Sequence, residues 1–398
     1  MRWEDPPPYQ DRAGPAAFQV SRNNASVEPT TTTGLSSRHR TGHRSRSTMG
    51  YAETQPWWKP SYWRKRTWVI VGIITAIILV IVIVVPVEVT KANRYPNYSK
   101  LDYTLADEYS GSTFFDNFDY FIGYDPAQGF VHYVPKEQAV QMNLTYASES
   151  TAVLRVDTSV GPGSNPDAST GRFSVRVESK RQYNNGLFIF DVKHTPYGCG
   201  TWPALWLVDP NNWPNHGEID VMEAVNQAVD GNQMTLHTTK DCSMGGVKRK
   251  MTGSSLQGSC YNNTNNNAGC GVDGPTNSFG SDFNNLQGGI AAMEWRDQGI
   301  RMWQFPRDAI PADITAKQPD PSTWGEAAAD FPNTDCNIAS HFRNQSIIAN
   351  IDLCGQYAGG VYAQSGCPSN CTDYVANNPS AFENAFWEFG AFEVYQVK

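Results

Sequence analysis

The feature that most constrains this 398-residue chain is an uncharged apolar run of 21 residues, TWVIVGIITAIILVIVIVVPV at positions 67 to 87. A helix of that length crosses a hydrocarbon core of about 30 Å. The run starts after 66 residues and ends in VPVEVTK, so it reads as a retained signal anchor and not as a cleaved leader. Arg64, Lys65 and Arg66 precede it directly, whereas Glu88, Lys91 and Arg94 follow it, and this asymmetry puts the N-terminus in the cytoplasm. Everything after the span then faces the lumen or the exterior as a single-pass type II protein. Trp57, Trp58, Trp63 and Trp68 suit an interfacial aromatic belt.

The two sides of the run differ in charge, since residues 1 to 66 hold 11 Lys/Arg against 5 Asp/Glu and the remainder holds 20 against 34. The first 66 residues, rich in Pro, Ser, Thr and Arg, bury too little apolar surface to offset chain entropy and read as a disordered basic tail. The acidic remainder is a poor partner for nucleic acid. Five glycosylation sequons lie beyond the span, at Asn97, Asn143, Asn262, Asn344 and Asn370. All eight cysteines lie after residue 190, which points to disulfides in an oxidising compartment. Eight cysteines allow 105 pairings, and none is assigned. A zinc site would need a fuller ligand set than the one close pair, Cys367 and Cys371.

From Tyr103 onward, short apolar or aromatic segments alternate with Gly/Asn/Pro-rich connections. Examples are SVRVESK, GLFIFDV, QMTLHTT, IAAMEW, SIIANIDL and AFEVYQV. No amphipathic stretch long enough for a substantial helix stands out. Many short strands separated by turns predict an all-β antiparallel sandwich or barrel over residues 103 to 398. Residues 88 to 102 read as a short stalk.

Within that region, NHGEIDVMEAVN crowds Glu218, Asp220 and Glu223 into six residues. On a strand, residues i and i+2 share a face, so Glu218 and Asp220 point one way while Ile219 and Val221 point into the core. Strict alternation puts Met222, not Glu223, on the acidic face. One extra residue around Val221 and Met222, a β-bulge, returns Glu223 to it. Three carboxylates on one face repel each other, so the pattern calls for a functional explanation. A retaining glycosidase needs such crowding: one carboxylate attacks the anomeric carbon and a second, about 5 to 5.5 Å away, stays protonated for the leaving oxygen. Asp220 could hydrogen-bond Glu218 and help hold the two outer pKa values apart. A calcium site or an acidic exposed strand would use the same residue types. Trp202, Trp206 and Trp213, which precede the motif, could stack on sugar rings.

At these residues the sequence resembles glycoside hydrolase family 16, in particular its fungal laminarinase-like endo-1,3(4)-β-glucanases, whose motif is E-[ILV]-D-[ILV]-x-E with a bulge. The resemblance spans residues 103 to 398 and includes GCGTWPALWLV, GEIDVMEAVN, QMTLHTT, GGIAAMEW, NIDLCGQYAG and NPSAFENAFWEFGAFEVYQ. It implies a concanavalin-like jelly-roll sandwich with an open cleft on its concave face. It also implies Glu218 as nucleophile, Asp220 as its assistant and Glu223 as acid/base. Trp202 and Trp206 match the family's substrate-binding aromatic positions before the motif, His237 matches a histidine on a neighbouring strand, and Trp295 matches a tryptophan lining the cleft. The implied reaction is internal cleavage of β-1,3- or mixed-linkage glucan in wall remodelling, with no cofactor and no catalytic metal. Two alternatives stand beside it: a transglycosylase on the same glucan, and a non-catalytic glucan-binding or wall-assembly protein. Linkage preference and oligomeric state are not encoded legibly.

Overall fold

A computed structural model describes residues 58–62, 64–84, 87, 94–165 and 167–398. The basic tail before residue 58, Trp57, Trp63 and residues 88 to 93 therefore lie outside the described residues. The apolar run forms a helix over Lys65–Leu79 that widens into a π-type turn over Val80–Val84, with none of the helix side chains buried. It is long and apolar enough to cross a membrane.

Residues 103 to 398 fold mainly as two antiparallel eight-stranded sheets, beside a small parallel pair of Val131–Tyr133 with Arg172–Ser174. One, the support sheet, runs in the order Ala329–Pro332, Gly299–Pro306, Gly289–Arg296, Gly186–His194, Phe386–Val397, Ala152–Arg155, Thr145–Ala147, and its eighth strand, Tyr103–Tyr109, also pairs with Phe386–Val397. The other, the site sheet, runs Ser254–Ser255, Cys270–Asp273, Gln233–His237, Glu218–Glu223, Thr201–Val208, Gln345–Leu353, Arg176–Tyr183, Phe118–Tyr120. Helices are short, as the absence of helical periodicity predicts.

Period-2 alternation decides which residues meet between the sheets. In GLFIFDVKH, Phe188, Phe190 and Val192 join the central core, while Leu187 and Ile189 join a smaller cluster on the outer face of the support sheet. The site sheet contributes Leu205, Leu207, Ile219, Met234, Leu236, Ile347, Ala349 and Ile351 to the same core. Polar residues interleaved with these point out of the site sheet, and that outer face carries the candidate site.

The segment assigned to a stalk is partly built into the domain. Tyr98 Oη donates to Asp330 Oδ1 and to the Gln298 carbonyl, both at 3.3 Å, and the Arg301 guanidinium stacks 4.0 Å from the Tyr98 ring. Arg296 Nη1 reaches the Ser99 carbonyl at 2.9 Å, and Lys100 pairs with Asp320 at 2.9 Å. These contacts, with the Tyr103 hydroxyl on Glu294, complete a half-buried ionic cluster on the support sheet. The pattern gave no strand there because side-chain partners, not a ladder, hold the segment down.

All eight cysteines are paired: Cys199–Cys367, Cys242–Cys336, Cys260–Cys270 and Cys354–Cys371. The first and last of these fix the 355–372 segment beside the start of the Thr201–Val208 strand. All five sequon asparagines are at least partly exposed.

Candidate active site

The geometry of the site begins with a register shift. Against Thr201–Val208, the strand Glu218–Glu223 pairs Asp220 with Trp206 and then Met222 with Leu205, leaving Val221 as an extra residue. Against Gln233–His237 it pairs Asp220 with Thr235 and Glu223 with Gln233, so Val221 and Met222 together face Met234. This is the β-bulge that the alternation of the sequence required. Val221 and Met222 are both buried in the core, and Glu218, Asp220 and Glu223 share the outer face.

The neighbouring strand supplies His237, which sits directly opposite Glu218. Its Nε2 lies 3.3 Å from Asp220 Oδ2, an oxygen with no aligned hydrogen bond, and its Nδ1 lies 3.1 Å from Asn267 Oδ1. The partner expected for Asp220 was Glu218; among the described residues its ionic partner is His237. Trp202 Nε1 donates to Glu223 Oε1 at 2.6 Å, and Trp213 Nε1 donates to Glu218 Oε2. Each outer carboxylate thus has an indole donor.

Trp213 reaches Glu218 from the 209–217 loop, which Asp209 organises by accepting from Asn211 N–H, Asn212 Nδ2 and His216 Nδ1. Gly217 closes the loop at φ 71°, where a Cβ would come within 2.5 Å of the His341 carbonyl oxygen.

Burial and mutual charge set the protonation of the cluster. Burial first, then the Glu218 charge, holds the Asp220 carboxyl well above the ordinary range. Burial also raises Glu223, against the opposing pull of the Trp202 donor and the His237 charge. Burial works against charging His237, but Asp220, Glu218 and Glu223 outweigh it and lift its pKa to about 9. The carboxyl groups around His237 therefore favour its imidazolium form over the neutral ring. Glu218, Asp220 and His237 bring ligand atoms within 4.8 Å of one another, a donor set that a divalent cation could use. A protonated imidazole is no metal ligand, so the His237 charge competes with any such cation.

Around the carboxylates, Trp206 is half-buried: its Nε1 donates to Asn350 Oδ1 at 2.8 Å, and the Arg176 guanidinium lies 5.0 Å from its ring centre. Tyr357 packs edge-on to Trp202 and donates to Gln233 Oε1 at 2.7 Å. Arg176, Asn350, Tyr357, Gln233 and Asn267 were not singled out from sequence. Tyr357 and Asn350 lie inside NIDLCGQYAG, where only a partner contact could have marked them.

Trp295, expected at the cleft, belongs elsewhere. It lies on the Gly289–Arg296 strand of the support sheet, is 1% exposed and stacks on Phe188 in the core. Its parity on the strand turns it between the sheets, away from the carboxylates.

Residues 118–395 match the family model described as the XgeA-like catalytic GH16 domain. The chain is 44% identical over 308 residues to a probable glycosidase of Schizosaccharomyces pombe, covering 76% of this chain and 72% of that one. It is 40% identical to an endo-1,3(4)-β-glucanase of Arthroderma benhamiae, over 74% of this chain and 65% of the relative. It spans only 46% of a probable endo-1,3(4)-β-glucanase of Aspergillus clavatus. Among solved structures it resembles Laminarinase 16A of Phanerochaete chrysosporium with 6-O-glucosyl-laminaritriose in donor and acceptor sites, at TM-score 0.70 and 44% identity over 74% of this chain and 99% of that one. It also resembles an elongating GH family 16 β-1,3-glucosyltransferase, at TM-score 0.69 and 40% identity over 74% and 100%.

Because the Trp202 donor and the His237 charge both pull Glu223 downward, removing either raises its midpoint. In a carbon-13 titration of labelled Glu carboxyls, Trp202→Phe and His237→Gln should each move the Glu223 midpoint upward. A downward shift in either variant would contradict this electrostatic account.

Proposed function

The chain belongs to glycoside hydrolase family 16, and from that membership we propose that it cleaves β-1,3- or mixed β-1,3/1,4-glucan internally, with retention of anomeric configuration. The observation that carries this reading is the bulged strand, which gathers Glu218 and Glu223 on one face with different surroundings. Glu218 attacks the anomeric carbon as the glycosidic C–O bond breaks, and protonated Glu223 gives its proton to the departing oxygen. Glu223, now a carboxylate, takes a proton from water as that water displaces Glu218 and releases the sugar. The raised Glu223 pKa suits the first step, since burial keeps a fraction of the acid protonated closer to neutrality. Asp220 and His237 act behind Glu218, one next to it on the strand and the other across from it. Trp202, Trp206 and Trp213 offer indole surface for sugar rings.

A transfer reaction is the second reading, favoured by the likeness to the elongating glucosyltransferase. A sugar hydroxyl then replaces water, and the same two glutamates act. The apolar helix, its basic N-terminal flank and the sequons support a type II membrane protein with its catalytic domain outside the cytoplasm. That placement suits remodelling of wall glucan near the membrane.

Incubated with laminari-oligosaccharides and followed by proton NMR and mass spectrometry, the protein should release β-anomers first. Glu218→Gln and Glu223→Gln should each lower the rate by about 10³-fold or more. First-formed α-anomers, or unchanged turnover in either variant, would overturn the assignment; products longer than the donor would select transfer. Full-length protein should resist alkaline carbonate extraction and shift in mobility on N-glycosidase treatment, whereas release into the supernatant without a shift would exclude the membrane reading.

A further inference from the structure

The bulge that aims Glu223 leaves a backbone problem, and one side chain solves it. On the flank facing Gln233–His237, Val221 and Met222 together oppose Met234, so the regular ladder is interrupted there. Asn232 lies at that gap with 0% exposure. Its Oδ1 accepts from the Glu223 backbone N–H at 2.8 Å, and its Nδ2 donates to the Val221 carbonyl at 2.9 Å. A carboxamide presents the same donor and acceptor as a peptide group, so this side chain supplies the missing rung. Its own backbone is fixed as well: its N–H donates to Ser278 Oγ at 2.9 Å, and its carbonyl accepts from Gly274 N–H at 2.8 Å. Gly231, at φ 84°, makes the turn that delivers it, at a place where a Cβ would lie 2.3 Å from the Pro275 carbonyl oxygen.

We propose that Asn232 is a positioning residue for the acid/base step: by bridging Val221 and Glu223 across the bulge, it sets the direction in which the Glu223 carboxyl points. The inference rests on the hydrolase reading above. Proton donation depends on heavy-atom distances within hydrogen-bond reach, so a small swing of the Glu223 backbone is felt at the leaving oxygen. Attack by Glu218, on the other side of the bulge, depends on it less.

The test compares kcat/KM for two substrates in one preparation, a laminari-oligosaccharide and a 2,4-dinitrophenyl β-laminaribioside. Only the first has a leaving group that needs the proton. A ratio within one preparation is unaffected by any loss of folded protein. Wild-type cleavage of both substrates establishes the underlying reading; cleavage of neither removes that reading and this inference with it. With cleavage established, Asn232→Ala should lose about 10²-fold on the oligosaccharide and under about 5-fold on the aryl glycoside. Asn232→Asp supplies a conservative check. A protonated carboxyl can still accept from Glu223 N–H and donate to the Val221 carbonyl, so its oligosaccharide-to-aryl ratio should return toward wild type as pH falls. Equal losses on both substrates in Asn232→Ala, or an Asn232→Asp ratio as low as that of Asn232→Ala at acid pH, would show a merely structural role and overturn the proposal.

Discussion

One extra residue in a six-residue strand is the constraint on which the site depends. Without it, Ile219, Val221 and Glu223 would share a face, and either a carboxylate would enter the core or two apolar residues would leave it. With it, Ile219, Val221 and Met222 are all buried, and Glu218, Asp220 and Glu223 all face outward. Core packing and site chemistry are satisfied by the same distortion. Unpaired backbone groups at such a bulge would each cost about 1 to 3 kcal/mol if left buried without partners. Asn232 takes the pair on the flank facing Gln233–His237, so the distortion is held in one geometry.

The carboxylate crowding produced in this way is offset by a cation from the adjacent strand. His237 stands across from Glu218 and beside Asp220, and the surrounding carboxyl groups favour its charged form against its burial. Indole donors then divide the outer pair, Trp213 to Glu218 and Trp202 to Glu223. These two tryptophans come from different places, one from a loop ordered by Asp209 and the other from a core strand. The two carboxyl groups thereby acquire different environments, which is what a nucleophile and a proton donor require of otherwise identical side chains.

Much of this was legible in the sequence because it depends on period-2 patterning. Segments such as GLFIFDV and SIIANIDL read as strands, and the failure of alternation at Met222 announced the bulge. Trp295 was placed at the cleft by the family resemblance alone, and the strand pattern could not correct it, because all eight residues of GIAAMEWR are buried and none marks the outer face. Cysteine pairing depends on where distant strand ends meet, and composition carries no record of that. Residues 94 to 102 hid for a similar reason, since Tyr98 is held by Asp330 and Arg301, more than 200 positions away. Asn232 gave no local signal either, because its meaning lies in the two backbone groups it bridges.

The central claim is that the bulged strand presents Glu218 as the attacking group and Glu223 as its proton donor. Trapping the glycosyl-enzyme tests it most directly: the protein is incubated with a 2-deoxy-2-fluoro-β-laminaribiosyl fluoride, digested, and mapped by tandem mass spectrometry. The account predicts one added sugar per chain, esterified to Glu218. A label on Asp220 or Glu223, or the absence of any covalent adduct in protein that turns over glucan, would contradict it.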